Sequence, residues 1–339
     1  MIARFTRPSA TAPSPAREPE VERKYFSDGE NRFLVTGSSG LVGTALTALL
    51  SSGGQRVCRL VRGPTRFPET PGQTMASWDP ERGQLDPESV SGHDVVVHLA
   101  GANIAAGRWT PERKRKIRDS RVDGTELLAR ALAVAPSRPR VLVSASATGF
   151  YGDRGDMQLD EGTAGGSGFL ADVGRAWEDA TRPAIEAGIR VVHLRIGIVL
   201  ARDGGALPRM LAPFRMGVGG PLGSGRQYWS WIALDDLLGV VLHAAATEEI
   251  VGPVNAVSPK SVRNAEFSAV LGRVLRRPAL LRAPAFVIRL LLGEMGQELL
   301  LASAHARPTR LIESGFEYRY PDLEGALRHV LGRPQLEAG

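Results

Sequence analysis

An apolar run, Phe33 to Val35, passes through Thr36 into "GSSGLVG", and a helical pattern of apolar residues follows at once. Glycines at 37, 40 and 43 between a strand and a helix restrict what this chain can become more than any other feature. Directly after a strand, the first permits a tight turn. The second lets the backbone come close to a ligand, and the third lets the helix pack close to the strand. Glycines alone are weak evidence, because turns collect them anyway. Here the strand before, the helix after and the rhythm that continues agree.

That rhythm is a series of apolar strand-like runs at 33–36, 56–61, 94–99, 140–144 and 190–195, separated by amphipathic segments of helical length. Runs without polar alternation suit parallel strands covered on both faces. A doubly wound α/β sheet follows, of the Rossmann type, with a dinucleotide phosphate at the N-terminus of the first helix. Gly37, Ser38, Ser39, Gly40, Leu41 and Gly43 are its expected contacts, with Leu99 and Ala100 at the end of the fourth strand. Beyond Leu200 the rhythm breaks into Gly/Pro-rich sequence, then a helix over Leu234–Ala246 and a strand at Pro253–Val257. The expected organisation is an extension over 1–30, a nucleotide-binding core over 31–200, and a region over 201–335. That last region is mainly a smaller C-terminal substrate lobe, returning one strand to the sheet.

The second strand region, "QRVCRLVRGPTR", selects among dinucleotides. An NAD site ordinarily carries an acid there to hold the ribose 2′-hydroxyl. This stretch has none and has Arg59, Arg62 and Arg66 instead. A guanidinium at the strand end, Arg62 next to Val61, matches a 2′-phosphate in charge and fork geometry, so NADP(H) is the expected cofactor. Arg59 and Arg66 read equally well as surface residues.

Composition removes several other classes. At 339 residues the chain can bury a large core. The formal charge is +6, yet lysine occurs only at 24, 114, 116 and 260, and the densest run, "ERKRKIRD", mixes signs. Thr110 as N-cap and Pro111 at the first helical position make that run a solvated helix face, not a nucleic-acid surface. The single cysteine, Cys58, excludes an internal disulfide and fits a reducing compartment, so a cytoplasmic location is expected. The longest apolar stretch, "AFVIRLLLG", is too short for a span and carries Arg289, so no membrane partner is expected. The first thirty residues lack a signal-peptide core and read as disordered. Six histidines without metal-ligand spacing give no metal site. The expected partner is a small-molecule substrate, and the chain reads as a monomer or homodimer.

"VVVHLAGANI", "SRVDGTELLARAL" and "VLVSASATGFYG" resemble elements of the extended short-chain dehydrogenase/reductases. Together with "RWTPERKRKIRDSR", "GFLADVGRAWE", "PFRMGVGGPLGSGRQYWSWIALDDL" and "NAVSPKSVRNAEF", they resemble the atypical subfamily known as the epimerase family, over about residues 32 to 332. That resemblance includes a C-terminal segment of unknown function. It implies a nicotinamide cofactor and a Tyr-x-x-x-Lys pair, in which the lysine and the cofactor lower the tyrosine pKa for proton transfer. This chain departs from the pattern: Leu170 and Gly174 fall at the two positions, and no lysine lies between Lys116 and Lys260.

The hydroxyl that the resemblance places at the end of the fifth strand falls on Ser144 or Ser146, with Ser146 the better match. Tyr151 is a candidate phenol, or else a residue that shapes the strand-end loop. Arg121 stands where the family's helix motif has asparagine, and points toward the cofactor or makes a surface salt bridge. Asn103, Arg226 and Tyr228 are candidate substrate contacts, while Trp231 reads as core and, by resemblance, an aspartate of "LDD", Asp235 or Asp236, as a helix cap. Two functions remain open: an NADP(H)-dependent oxidoreductase or epimerase-like enzyme on a small carbonyl or hydroxyl compound, and a non-catalytic NADP(H)-binding sensor or regulatory partner.

Overall fold

The computed structural model describes residues 30–63 and 72–334. The extension expected over 1–30 lies, but for Glu30, outside them, and so does Arg66. Seven strands form one sheet: β1 (Arg32–Thr36), β2 (Arg56–Arg62), β3 (Gln73–Trp78), β4 (Val95–His98), β5 (Val141–Ala147), β6 (Arg190–Ile196) and β7 (Gly252–Ala256). Their order is β3–β2–β1–β4–β5–β6–β7, and every neighbouring pair is parallel. The chain therefore winds outward from β1 to β3, crosses back to β4, and winds outward again to β7. Such a reversal leaves a crevice beyond the carboxyl ends of β1 and β4, where open α/β sheets hold their ligands.

Parallel neighbours need long connections, and helices supply them. These are α1 (Leu41–Ser52), α2 (Pro111–Val134), α3 (Phe169–Asp179) and α4 (Leu234–Ala246). Successive strand residues alternate faces, and both faces are buried. Val35, Val97, Val143 and Leu194 pack with Leu46 and Leu50 of α1 and Leu237 and Val241 of α4. Leu34, Val96, Leu142 and Val191 pack with Leu128 and Leu132 of α2. The uninterrupted apolar runs of the sequence are the record of this double cover. The start of α2 is as its sequence implies, with the Thr110 hydroxyl accepting from the Arg113 amide at 3.2 Å and Pro111 in the first turn.

β3 has no counterpart among the apolar runs. Its sequence, "QTMASW", buries only Trp78 fully, because the strand lies at the sheet edge and only part of it is covered. The region after 200 returns one strand to the sheet and adds apolar cover to it. Besides β7, α4 belongs to the main core, as do Leu311 and Phe316 from near the C-terminus. The smaller lobe has its own core, in which Leu207, Leu211, Trp229 and the fully buried Trp231 meet Phe267 and Leu271 of α5 (Asn264–Leu275) and Leu323 and Leu327. Asp236 does not cap α4. Its carboxylate accepts the backbone amides of Arg319 and Tyr320 at 2.7 and 3.0 Å, tying the late chain to the sheet layer.

Candidate functional site

The glycine-rich turn leaves β1 at Gly37, whose φ is +65°. A Cβ at Gly37 would lie 2.6 Å from the Leu99 carbonyl oxygen, and one at Gly43 would lie 2.2 Å from that of Gly37. Neither position has room for any side chain, since both oppose backbone, which cannot swing aside. Gly40 precedes α1 without a side-chain cap, so the first-turn N–H groups of α1 are left to solvent or ligand. Ser38 is buried, and its Oγ meets no protein partner among the described residues. Ser39 is exposed, while the Leu41 side chain lies within 3.0 Å of where a Cβ on Gly204 would sit, which closes one flank of the turn.

The facing wall is the crest of β4. Thr36 Oγ1 accepts the amides of Leu99 and Ala100 at 3.1 and 3.2 Å and therefore donates its own proton to His98 Nδ1, 2.8 Å away. His98 is then the Nε2–H tautomer, donating to Thr125 Oγ1 at 2.9 Å. Complete burial lowers the His98 pKa to about 4, so the ring is neutral at physiological pH. The crest is thus fixed from below by neutral hydrogen bonds.

Arg121 lies under the loop that follows. Its Nη1 donates to the carbonyls of Ala102 and Ile117 at 3.0 and 3.1 Å, and the guanidinium lies 5.0 Å over the Trp177 ring. It makes no salt bridge among the described residues; burial, with the Arg113 charge nearby, lowers its pKa to about 10. Asn103 is exposed on the same loop, where its side chain turns the backbone by accepting the Ala105 amide at 2.8 Å. At the C-terminal end of β2, Val61 is half-buried and Arg62 is exposed. Arg59, earlier on that strand, donates to Gln73 of β3 at 2.9 Å.

The end of β5 differs from its sequence reading. Ser146 Oγ donates to Glu178 Oε1 at 2.7 Å, and the same carboxylate receives Arg195 Nε and Nη2, each at 2.8 Å. Arg195 Nη1 donates onward to the Tyr151 hydroxyl at 3.0 Å. That hydroxyl lies 2.8 Å from Asn255 Oδ1 and 2.9 Å from the Asp160 carbonyl. Ser146, Arg195 and Asn255 are register neighbours across β5, β6 and β7, so one polar row crosses three strands. Tyr151 and Ser146, the two candidates at this strand end, are both buried and both held in this row. The Tyr151 side chain is fully buried, burial raises its pKa against the pull of Arg195, and its hydroxyl is held within the fold. Ser144 is buried too, with an Oγ that meets no partner among the described residues.

The two positions of the missing pair are filled by packing. The Leu170 side chain lies within 3.2 Å of where a Cβ on Gly149 would sit, and a Cβ on Gly174 would meet Phe150 at 3.2 Å. The Phe150 ring, in turn, carries the Arg195 guanidinium at 3.6 Å. Glu178, Arg195 and Asn255 were not among the sequence candidates. A signal for Glu178 was present, since positions 170, 174 and 178 share one face of α3. So was one for Arg195, the only ion in the apolar run "VVHLRI".

In the smaller lobe, Arg226 is exposed. Tyr228 stacks flat on His305, with centroids 4.0 Å apart, and Arg263 lies 4.5 Å over its ring. His305, but not Tyr228, lines an open cavity of about 630 Å³ together with Gln158, Lys260 and Arg307. Among the described residues no group of three or more metal-ligating side chains occurs, and no helix is long and apolar enough to cross a membrane.

Comparison with known proteins agrees with this geometry. An epimerase family protein of Mycobacterium bovis is 42% identical over 300 residues, covering 88% of this chain and 97% of that one. The crystal structure of the human epimerase family protein SDR39U1, described as a complex with NADPH, superposes with a TM-score of 0.80 at 35% identity, covering 89% of this chain and 99% of that chain. A Corynebacterium glutamicum structure described as a nucleoside-diphosphate sugar epimerase gives 0.74 at 37% identity, covering 94% of this chain and 62% of that longer one. Residues 283–330 match a domain of unknown function, DUF1731. Residues 33–256, from the start of β1 to the end of β7, match the NAD-dependent epimerase/dehydratase family, and the chain belongs to that family.

Proposed function

We propose that the chain binds NADP(H) and acts as an oxidoreductase or epimerase-like enzyme on a small carbonyl or hydroxyl compound, without a Tyr-x-x-x-Lys pair. The observation that carries the cofactor is the cradle at the turn. Gly37 and Gly43 let the turn pack tight against the backbone of Leu99 and of Gly37, which brings the uncapped start of α1 to the crest of β4, and Ser38 Oγ is a buried hydroxyl with no protein partner among the described residues, suited to a phosphate oxygen. NADPH in the human relative's structure supports the same reading. Arg62 at the end of β2, with no acid from Gln55 to Gly63, favours the 2′-phosphate over a free 2′-hydroxyl. Leu99 and Ala100 at the β4 crest line the other side, with Arg121 beneath their loop.

When bound, the nicotinamide supplies or takes a hydride. The protein's part is to place the substrate and manage its proton. With its own proton committed to Glu178, Ser146 Oγ keeps lone pairs that accept from a substrate hydroxyl. Asn103, Arg226 and Tyr228 are the proposed substrate contacts. One observation favours the second reading, a non-catalytic NADP(H) sensor: the volume of the missing pair is packed by Leu170 and Phe150.

Titration with NADPH and NADH, followed by nicotinamide absorbance across a panel of carbonyl and alcohol compounds, separates the readings. Tighter NADPH binding, with turnover that Ser146→Ala removes while affinity persists, supports the enzyme. Tight binding without turnover favours the sensor, and equal affinity for both nucleotides overturns the NADP(H) assignment.

A further inference from the structure

The segment 276–293, "RRPALLRAPAFVIRLLLG", is the apolar stretch too short to span a bilayer, and the structure displays much of it to solvent. Leu280 is 84% exposed, Leu281 57%, Phe286 68%, Leu290 71% and Leu291 62%. The helix Ala285–Leu292 buries Ile288 and turns Phe286, Arg289 and Leu290 outward, at the i, i+3, i+4 spacing of one face. Beside it, the segment around Leu222 bridges to Ala283, and Met216 and Val218, a few residues earlier, are exposed as well. Apolar residues scattered singly over a surface need no explanation, but five large ones within twelve residues do.

The charge around them is of one sign. Arg276, Arg277, Arg282 and Arg289 are the only ionisable residues in the segment, and all four are exposed. None makes an ion pair among the described residues; Arg289 donates to the Gln297 side chain at 2.8 Å. Glu294, the first acid after the segment, is held by Lys114 at 2.8 Å.

We infer that this face docks on an anionic lipid surface, lying on it without crossing it. A second copy of the chain is disfavoured as occupant, because two such faces would bring like charges together. An apolar protein face is disfavoured by Arg289, which sits between Phe286 and Leu290 and would be buried without a counter-ion. At a bilayer the conflict disappears: the apolar side chains enter the headgroup boundary while the arginine stems reach back to lipid phosphates. Each arginine near an anionic leaflet contributes about a fivefold gain in partitioning.

The test is co-sedimentation of the full chain with vesicles of phosphatidylcholine and phosphatidylglycerol, compared with vesicles of phosphatidylcholine alone. Binding is expected to the mixed vesicles only, and to weaken with added salt. Phe286→Ser with Leu290→Ser is expected to lower it at least about tenfold, and Arg276→Ser with Arg277→Ser about twenty-five-fold. Because all four side chains are exposed, the unfolding midpoint is expected to stay unchanged. Binding that ignores phosphatidylglycerol, or survives both double variants, overturns the inference. So does a wild-type dimer that Phe286→Ser with Leu290→Ser converts to monomer, which gives the face to a second copy. Failure on vesicles together with capture by poly-glutamate gives it to an acidic protein.

Discussion

The carboxyl end of β1 and that of β5 stand on the same side of the same sheet, and the chain treats them in opposite ways. At β1 the backbone is cleared of side chains: Gly37 and Gly43 cannot carry a Cβ, and Ser38 keeps a buried hydroxyl unpaired. At β5 a row of polar groups is matched within the fold, from Ser146 through Glu178 and Arg195 to Tyr151 and Asn255, and only Ser144 Oγ is left without a partner among the described residues of that strand. One end is prepared for a partner from outside. At the other, where the resemblance places the tyrosine and lysine, an ion pair and an aromatic ring take up that space beside Ser146. Most buried hydrogen-bonding groups find a partner in the fold, so the two ends differ in how much of their polar surface the fold itself has used.

The contrast breaks most sharply at Glu178. Glu178→Ala leaves Arg195 buried without its carboxylate, expected to cost about 3–5 kcal/mol of stability while NADPH affinity stays near wild type. Denaturant unfolding and nucleotide titration on one preparation check both halves. If affinity falls in step with stability, the two ends are one unit. The hydrogen-bonded row beneath the β4 crest gives the next largest effect. Burial holds His98 near a pKa of about 4, below its unfolded value, so the unfolded chain binds the extra proton and stability falls as pH drops from about 6.5 toward 4. The integrated loss approaches roughly 3 kcal/mol. His98→Gln is expected to flatten that part of the acid-unfolding profile, and an unchanged slope would place the acid sensitivity elsewhere.

At the open end, Arg62→Ala is expected to weaken NADPH binding by about 1.5–3 kcal/mol and NADH binding hardly at all. Equal losses for the two would assign Arg62 to the shared part of the nucleotide. Ser38→Ala is the smallest and most pointed test. Removing an unpaired buried hydroxyl is expected to leave the ligand-free protein as stable or slightly more so, while NADPH affinity drops by about 1 kcal/mol. The opposite pattern, lower stability with unchanged affinity, would make the hydroxyl of Ser38 structural.

The doubly wound sheet and the glycine-rich turn were legible because both are local. A two-sided strand shows as an apolar run, and a tight strand-to-helix turn packed against backbone shows as glycines three apart. Helix α4 also falls at Leu234–Ala246, as its own pattern implies. β3 was not legible, since an edge strand covered over part of its surface keeps polar residues and loses the signal. Asp236 was misread for a related reason: a carboxylate in a first helical turn looks like a cap, and only the fold brings the amides of Arg319 and Tyr320 to it.

Sequence by itself thus determined the architecture, the place of the glycine-rich turn, the absence of the Tyr-x-x-x-Lys pair and the lack of an acid at the end of β2. Each is set by residues within one turn or one strand–helix step. Tertiary structure alone decided what takes the place of the missing pair. Tyr151 and Asn255 are 104 residues apart along the chain, and Ser146 and Glu178 are 32 apart. No local pattern encodes which of many serines, acids and arginines meet. They meet because strand order sets β5, β6 and β7 side by side in one register. Once out of water there, each polar group holds its position only by pairing with the others.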